Sequence, residues 1–352
     1  MFKLVELFGG IGAPRIALEN LGIDVKSVDY VEIDSNAVKA YNALFDNSYK
    51  PDTVIDWNLD IDLLFHGSPC QDFSFAGSND ISKGRSILYR RTLDIIEHNL
   101  NPKPKFVIWE NVLGLLSKKN ISHFYYYIAR MSKLGYHSDF GVISGLQAGI
   151  PQHRERVFVV SIRNDIKNDF SFSNIQFLCS QPLINFLDTN FDSSLDITQP
   201  SMIRALNIGK VKISVDYVPT ISTKNIRWNS TVVPKDFLDP IFYSPYSCGF
   251  YPVSSNPLLR DLPNIESHLR YLSSRERFRL MGFTDEQYNC VLSSNISRTS
   301  IDSITGNSII VQVLMLLFGE LFSIPNYRLL TIKSIENITH HKFTDEDDDF
   351  DL

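Results

Sequence analysis

Apolar and polar positions alternate in a way that predicts strands and helices in turn over the first half of the chain. Lys3-Leu4-Val5-Glu6-Leu7-Phe8 reads as a buried strand, followed by a glycine-bearing turn and a helical pattern from Pro14 to Leu21 that Gly22 closes. A second strand, Asp24 to Val31, leads to Asp34 and another helix. Ile61 to Phe65 and Phe106-Val107-Ile108-Trp109 are further short apolar runs, with the helix-patterned stretch Ile87 to Asn99 between them. Arg156 to Ile162 adds a late strand. This succession predicts a doubly wound, mostly parallel α/β sheet.

The texture changes after that strand. From Asp169 to His268 short β-prone pieces are repeatedly interrupted by proline, from Pro182 to Pro263, which predicts a smaller loop-rich β domain. Ser273 to Gly282 then reads as a capped helix with a terminal glycine, and Ile309 to Phe322 as a closing amphipathic helix. If that last helix packs on the first domain, the small domain is an insertion. The expected division is 1–168, 169–268, a return over 269–330, and an acidic, disordered tail over 331–352.

Composition changes this picture in three ways. With 352 residues and 43% hydrophobic content the chain can bury a full core. No uninterrupted apolar run approaches the roughly 18 residues that span a bilayer, and no leader pattern opens the chain, so no membrane association and a cytoplasmic location are expected. Cys70, Cys179, Cys248 and Cys290 show no C-x-x-C spacing, which argues against structural zinc and against a disulfide scaffold. The formal charge of -6 is matched by the acids of the terminal block Asp345 to Asp351 alone, while residues 200–280 hold 11 Lys and Arg against 6 Asp and Glu, a balance attractive to phosphates.

The most informative stretch is Gly67-Ser68-Pro69-Cys70-Gln71-Asp72-Phe73-Ser74, just after the apolar run Leu63-Leu64-Phe65. Proline fixes its own φ and restricts Ser68 to extended geometry, so the turn aims Cys70 with little freedom, as a nucleophile on a strand-to-loop turn would be. In order along the chain stand Leu7-Phe8-Gly9-Gly10-Ile11-Gly12, Val31-Glu32-Ile33-Asp34, this cysteine segment, Trp109-Glu110-Asn111-Val112, Gln152-His153-Arg154-Glu155-Arg156 and Gly306-Asn307-Ser308. Together they resemble the (cytosine-5) DNA methyltransferase family of bacteria and phages over residues 2–165 and 270–322. The glycine turn is not a dinucleotide fingerprint, because Arg15 occupies the third glycine position of G-x-G-x-x-G. Glu32, at the end of the second strand, suits a ribose diol.

The resemblance implies a Rossmann-like methyltransferase fold and S-adenosylmethionine as cofactor, with S-adenosylhomocysteine as product. Phe8 would lie against the adenine, Gly10 and Gly12 near the methionine moiety, Glu32 on the ribose and Asp56, followed by Trp57, on the adenine amino group. Pro69, Leu88 and Asn307 would complete the pocket. Asp60 and Asp62 compete with Asp56 for its role.

Carbon 5 of cytosine is a poor nucleophile, so covalent addition of Cys70 to carbon 6 would be needed to activate it. Glu110 would bond ring nitrogen 3 and the exocyclic amine, which requires a protonated carboxyl. Arg154 and Arg156 are expected to alternate on one strand face, with Arg156 near carbonyl oxygen 2 and Arg154 closer to the Cys70 loop. Asn111 would hold that loop and Gln152 would support it or nearby backbone contacts. The base must first be flipped out of duplex DNA. Ser74 to Arg85 reads as a lid closing over it, with Gln71, Ser74 and Arg85 toward DNA, while Ala76 stands where the family often has a small polar residue. Pro219-Thr220-Ile221-Ser222-Thr223 resembles the family's element against the flipped nucleotide, with Thr220 and Ile221 preferred over Thr231-Val232. Lys224, Asn225, Arg227, Trp228 and Asn229 are candidates for base readout, and Arg275 and Glu276 for bracing the small domain.

The expected function is thus DNA cytosine-5 methylation by a monomer without a metal, in restriction-modification or phage self-protection, with a cognate endonuclease as a functional counterpart. A tRNA cytosine methyltransferase on the same scaffold is the first alternative, disfavoured by Ser68 in place of a second proline. A silent nucleic-acid-binding regulator is the second, and a flavin or nicotinamide oxidoreductase is weaker.

Overall fold

The computed structural model describes residues 1–53, 61–68, 88–98, 102–208, 211–221, 223, 231–236, 251–252 and 264–343. Its first strand, β1 (Phe2–Leu7), hands over to α1 (Ala13–Asn20) through the glycine turn, and β2 (Val25–Val31) hands over to α2 (Ser35–Phe45) through Asp34, whose carboxylate caps the helix by accepting from the Asn36 N–H. β3 (Leu63–His66), α3 (Leu88–His98), β4 (Phe106–Val112), α4 (Ile121–Lys133) and β5 (Tyr136–Ser144) continue the alternation. The two-residue β6 (Gln152–His153) is followed by the long β7 (Glu155–Arg163).

The main sheet has six strands in the order β2-β1-β3-β4-β7-β5. β1 to β4 pair in parallel, as expected for right-handed crossovers through helices, and β7 runs antiparallel to both β4 and β5. Alternate strand residues feed opposite faces. Leu64, Val107 and Trp109 pack with Tyr89, Leu93, Phe124, Tyr127 and Met131 of α3 and α4. Phe65 meets Phe318 of a later helix, and Phe2 and Phe106 meet Phe322 beyond its end.

The chain separates into two compact units, the first comprising 1–144, 155–177 and 311–331, the second 145–154, 178–310 and 332–352. The second holds α5 (Pro200–Asn207), the short strands β8 (Lys212–Ile213), β9 (Val218–Pro219), β10 (Val232–Pro234), β11 (Tyr251–Pro252) and β12 (Leu269–Tyr271), then α6 (Ser274–Arg279), α7 (Asp285–Ser293) and α8 (Arg298–Asn307). A four-stranded sheet, β11-β8-β10-β12, covers Ile197, Met202, Leu206, Val211 and Ile265. Within the same unit Arg270 and Glu276 form a buried ion pair at 2.7 Å, and Arg279 holds Asp188 at 2.8 Å and Asp285 at 2.6 Å. Glu276 thus braces the smaller unit, while the Arg275 guanidinium lies over the Tyr288 ring at 5.6 Å.

Two boundaries and the character of one helix differ from the sequence reading. Residues 269–310 cluster with the second unit and only α9 (Val311–Leu321) and its neighbours return to the first, where α9 packs on α1. That helix is buried on nearly every side rather than amphipathic; Glu320 alone is not buried. The stretch expected to be a disordered tail from 331 begins inside a helix, α10 (Tyr327–Thr339), and the acids from Asp345 onward lie outside the described residues. Arg298–Leu321 is apolar and long enough by composition to cross a bilayer, yet 83% of its most apolar window is buried in the protein.

Candidate active site

The carboxyl ends of β1 to β4 carry the candidate residues, the usual place for ligands in a parallel sheet. At β1 the chain leaves the strand with Phe8 at φ 58°, Gly10 at 55° and Gly12 at 80°, so left-handed residues alternate through the turn. A Cβ on Gly12 would sit 2.5 Å from the Phe45 ring, whereas one on Gly10 would meet nothing within 4 Å. Gly10 is therefore the open point of the turn.

Glu32 closes over it from the end of β2. Its Oε2 accepts from the Gly10 N–H at 3.1 Å, and its Oε1 accepts from the Ile33 and Asp34 N–H groups at 2.8 and 2.9 Å. A carboxylate offers about four acceptor positions, so one on Oε2 stays available for a hydroxyl after these three bonds. Beneath the turn, Tyr41 donates to Glu6 Oε2 at 2.7 Å, and full burial of Glu6 pushes its carboxyl up to about 7, against the lowering effect of that bond. Leu88 opens α3 and is half-buried.

At β3 and β4 the strand ends bring together Gly67, Ser68 and Glu110. A Cβ on Gly67 would stand 3.5 Å from Glu110 Oε2, so that carboxyl lies directly over the backbone three residues before Cys70. Arg156, on β7, reaches across the antiparallel pairing and places Nε 3.0 Å from Glu110 Oε1. Arg156 favours the ionised carboxyl, so a bond to ring nitrogen 3 requires Glu110 to take up a proton as the base binds. Ser68 is buried and accepts a hydrogen bond from the Trp109 indole N–H at 2.9 Å. Trp109 in turn packs against Tyr127 and Tyr89 at ring distances of 4.3 and 5.0 Å. His66 donates to or accepts from Tyr127 at 3.0 Å, and complete burial pushes its imidazole down to about 3, so it is neutral. Asn111 is buried, and its Oδ1 accepts from the Val112 N–H at 2.9 Å. Its Nδ2 has no partner among the described residues.

The second unit holds the remaining candidates. Arg154 does not share a strand face with Arg156, because the strand breaks between β6 and β7 and Arg154 falls in the gap. Its guanidinium, 3% exposed, donates to the carbonyls of Ile221 at 3.2 Å, Gly306 at 2.9 Å and Ser308 at 2.7 Å. It braces three backbone segments; the Cys70 loop, to which the sequence reading places it closer, lies outside the described residues. Gln152 does likewise, donating to the Leu280 carbonyl at 2.7 Å and accepting from the Ile221 N–H at 3.0 Å. Where the sequence reading places both Thr220 and Ile221 against DNA, Ile221 is buried with both backbone groups engaged. Thr220 is exposed and donates to the His153 carbonyl at 2.9 Å. Asn307 is exposed at the last position of α8. Asp56, Trp57, Pro69, Cys70, Gln71, Ser74, Ala76, Arg85, Lys224, Asn225, Arg227, Trp228 and Asn229 lie outside the described residues. Among the described residues no group of three or more His, Cys, Asp or Glu could hold a metal ion.

Sequence reasoning missed Glu6, Tyr30 and Tyr41. A signal existed for the first, an acid in an otherwise apolar strand, and for Tyr30, two residues before Glu32 on the same strand.

A family model described as C-5 cytosine-specific DNA methylase matches residues 2–323. The type II methyltransferase M2.ScrFI of Lactococcus lactis subsp. cremoris is 32% identical over 383 residues, covering 92% of this chain and 99% of its own. M.NgoBI of Neisseria gonorrhoeae, also a type II methyltransferase, is 27% identical and covers 89% of this chain and 91% of its own. Among solved structures, S. pombe Dnmt2 methyltransferase aligns with a TM-score of 0.71 at 20% identity over 93% of this chain and 100% of its own. A prophage-encoded DNA modification methyltransferase of E. coli reaches 0.60 at 17% over 93% and 100%. At those identities the structural likeness establishes the fold.

Proposed function

The chain belongs to the C-5 cytosine-specific DNA methylase family, and on that premise we propose that it methylates carbon 5 of a cytosine flipped out of duplex DNA, through a covalent adduct with Cys70. The observation that carries the reading is the Glu110 carboxyl, held by Arg156 at 3.0 Å and lying over Gly67, three residues before the cysteine. A strand-end acid fixed next to the start of the nucleophile segment is what activation of a pyrimidine ring needs.

The glycine turn fits S-adenosylmethionine: Gly10 leaves open space, the turn is too crowded under Gly12 for a side chain, and Glu32 retains an acceptor position for a ribose hydroxyl. When bound, the cofactor supplies an electrophilic sulfonium methyl group. The Cys70 thiolate adds to carbon 6 of the base, forming a carbon–sulfur bond and moving the ring π electrons toward carbon 5. Glu110 holds the exocyclic amine and delivers a proton to ring nitrogen 3, and Arg156 balances charge at the same edge. The methyl group would pass to carbon 5 as its bond to the sulfonium sulfur breaks, leaving S-adenosylhomocysteine; water would take the carbon 5 proton, the freed electron pair would re-form the ring double bond and expel the Cys70 thiolate, and the nitrogen 3 proton would return to Glu110. Arg154 and Gln152 act by holding the backbone at Ile221.

Double-stranded DNA is the partner in this reading, the protein acts as a monomer in the cytoplasm, and a restriction endonuclease of the same sequence specificity is its functional counterpart. The test is transfer of labelled methyl groups to duplex DNA, with Cys70→Ser in parallel and bisulfite sequencing of the product. Transfer to cytosine that vanishes in the variant is expected and reveals the target sequence. Transfer to tRNA alone, or to neither nucleic acid while cofactor binds, overturns it.

A further inference from the structure

Gly10 is pinned at both of its peptide groups by residues of one strand segment. Its N–H donates to Glu32 Oε2 at 3.1 Å, and its carbonyl accepts from the Tyr30 hydroxyl at 2.6 Å. Tyr30 is 1% exposed, and its ring lies immediately under the turn, since a Cβ on Gly9 would stand 2.7 Å from it. On its other side the ring stacks on Tyr41 at 3.8 Å, and Tyr49 is tilted against it at 5.4 Å. Tyr41 is anchored by Glu6 and by Ser27, whose hydroxyl is 3.1 Å from its own. Burial pushes the Tyr30 phenol far above its usual range, so it remains a donor at every working pH.

A glycine at φ 55° has two free torsions and would sample several orientations in an open turn. Glu32 fixes one peptide plane and Tyr30 the other. The carbonyl bond also keeps the Gly10 N–H aimed at Glu32 Oε2, which in turn sets where the remaining acceptor position of that carboxylate points. We propose that Tyr30 is a positioning residue for the cofactor: without touching it, the phenol clamps the Gly10 carbonyl and so presets both the turn and the Glu32 carboxylate for the nucleoside. This rests on the S-adenosylmethionine reading of the turn.

The test is Tyr30→Phe, which keeps the ring and deletes the hydroxyl, with affinity for S-adenosylhomocysteine read by isothermal titration. One net hydrogen bond predicts about a 3- to 10-fold weaker Kd. The KM for S-adenosylmethionine rises by a similar factor, while kcat at saturating cofactor stays with the wild type. Ser27→Ala removes a hydrogen bond from the same aromatic cluster without reaching the turn, and leaves that Kd unchanged. An unchanged Kd in Tyr30→Phe overturns the inference, as do equal losses in the two variants, which mark a loosened cluster and no clamp. If the Phe variant melts early, the ligand-induced rise in melting temperature decides: a full wild-type rise overturns the proposal. Wild-type protein that binds no S-adenosylhomocysteine overturns the cofactor reading itself, an outcome distinct from the others.

Discussion

Glu110 meets Arg156 through one short contact at the edge of β4, so the carboxylate is held by charge while its other oxygen faces Gly67. Glu110→Gln keeps the shape and loses the proton. Methyl transfer should fall about 10²- to 10⁴-fold, the usual span for a general acid, with duplex affinity within a few-fold of wild type by gel shift. Glu6 makes a different prediction. Its carboxyl is raised from 4.5 to about 7 by burial, so the folded state carries a growing penalty as pH rises from 4.5 to about 7, worth about 3 kcal/mol once ionised. Its contribution is fully present below 4.5 and lost above about 7. His66, pushed down to about 3, acts in the opposite sense: stability is lost as pH falls below 6.5, and the two slopes oppose each other between 4.5 and 6.5. Glu6→Gln should remove one of them. Denaturant unfolding across pH 4.5–7 would then show stability rising with pH in the variant, more steeply than in wild type; identical profiles would rule Glu6 out. The titration of neither residue was legible from sequence, because both shifts come from complete burial, which depends on partners distant along the chain. The places of Glu32 after β2, Glu110 near the end of β4 and Arg156 on β7 were legible, since they follow from the strands themselves. Arg154 was misread because its neighbours hide a break between two strands, and Ile221 because nothing in its sequence shows which side chain the Gln152 and Arg154 bonds turn inward.

Elements that begin with a chemical signal were easiest to locate. Ser273 and Glu276 form a reciprocal capping box at the start of α6, as the sequence pattern predicts, and Asp34 caps α2. Ser273→Ala should cost about 1 kcal/mol of stability, read as a lower melting temperature, because the Glu276 amide in the first turn of a buried helix loses the hydroxyl it donates to. The parallel strands β3 and β4 were also readable as short apolar runs buried on both faces, and β1 as a largely apolar one. β5 was not. Its residues are buried only at its two ends, with exposed and half-buried positions between, and it exists as a strand because β7 pairs along its whole length. α9 was located but misjudged as amphipathic, since its burial comes from partners distant in sequence. Gly319→Ala tests that packing: its Cβ would run into the Tyr327 ring, so about 1–3 kcal/mol of overpacking strain should appear as a lower melting temperature.

Over the whole molecule, each unit is assembled from three separated stretches of chain, and composition marked the second unit correctly only where prolines crowd it. The helical portions, α6 to α8, have ordinary globular texture and look like a continuation of the first unit. The excursion 145–154, between two paired strands of the first unit, was equally invisible, since residues such as Gln152 are polar and read as surface. Because α1 is completed by α9, deletion of Val311–Leu321 should leave the first unit unable to bury its apolar face, giving aggregated protein on size-exclusion chromatography; a monodisperse product would refute that dependence. The same pairing has a temporal side. A ribosome making about 5–20 residues per second needs roughly 15–60 s to travel from the end of α1 to the start of α9, and for that interval the emerging first unit lacks the helix that covers it. Throughout that interval the apolar face of α1 that α9 covers stays open, a window for misassembly that closes only as synthesis nears its end.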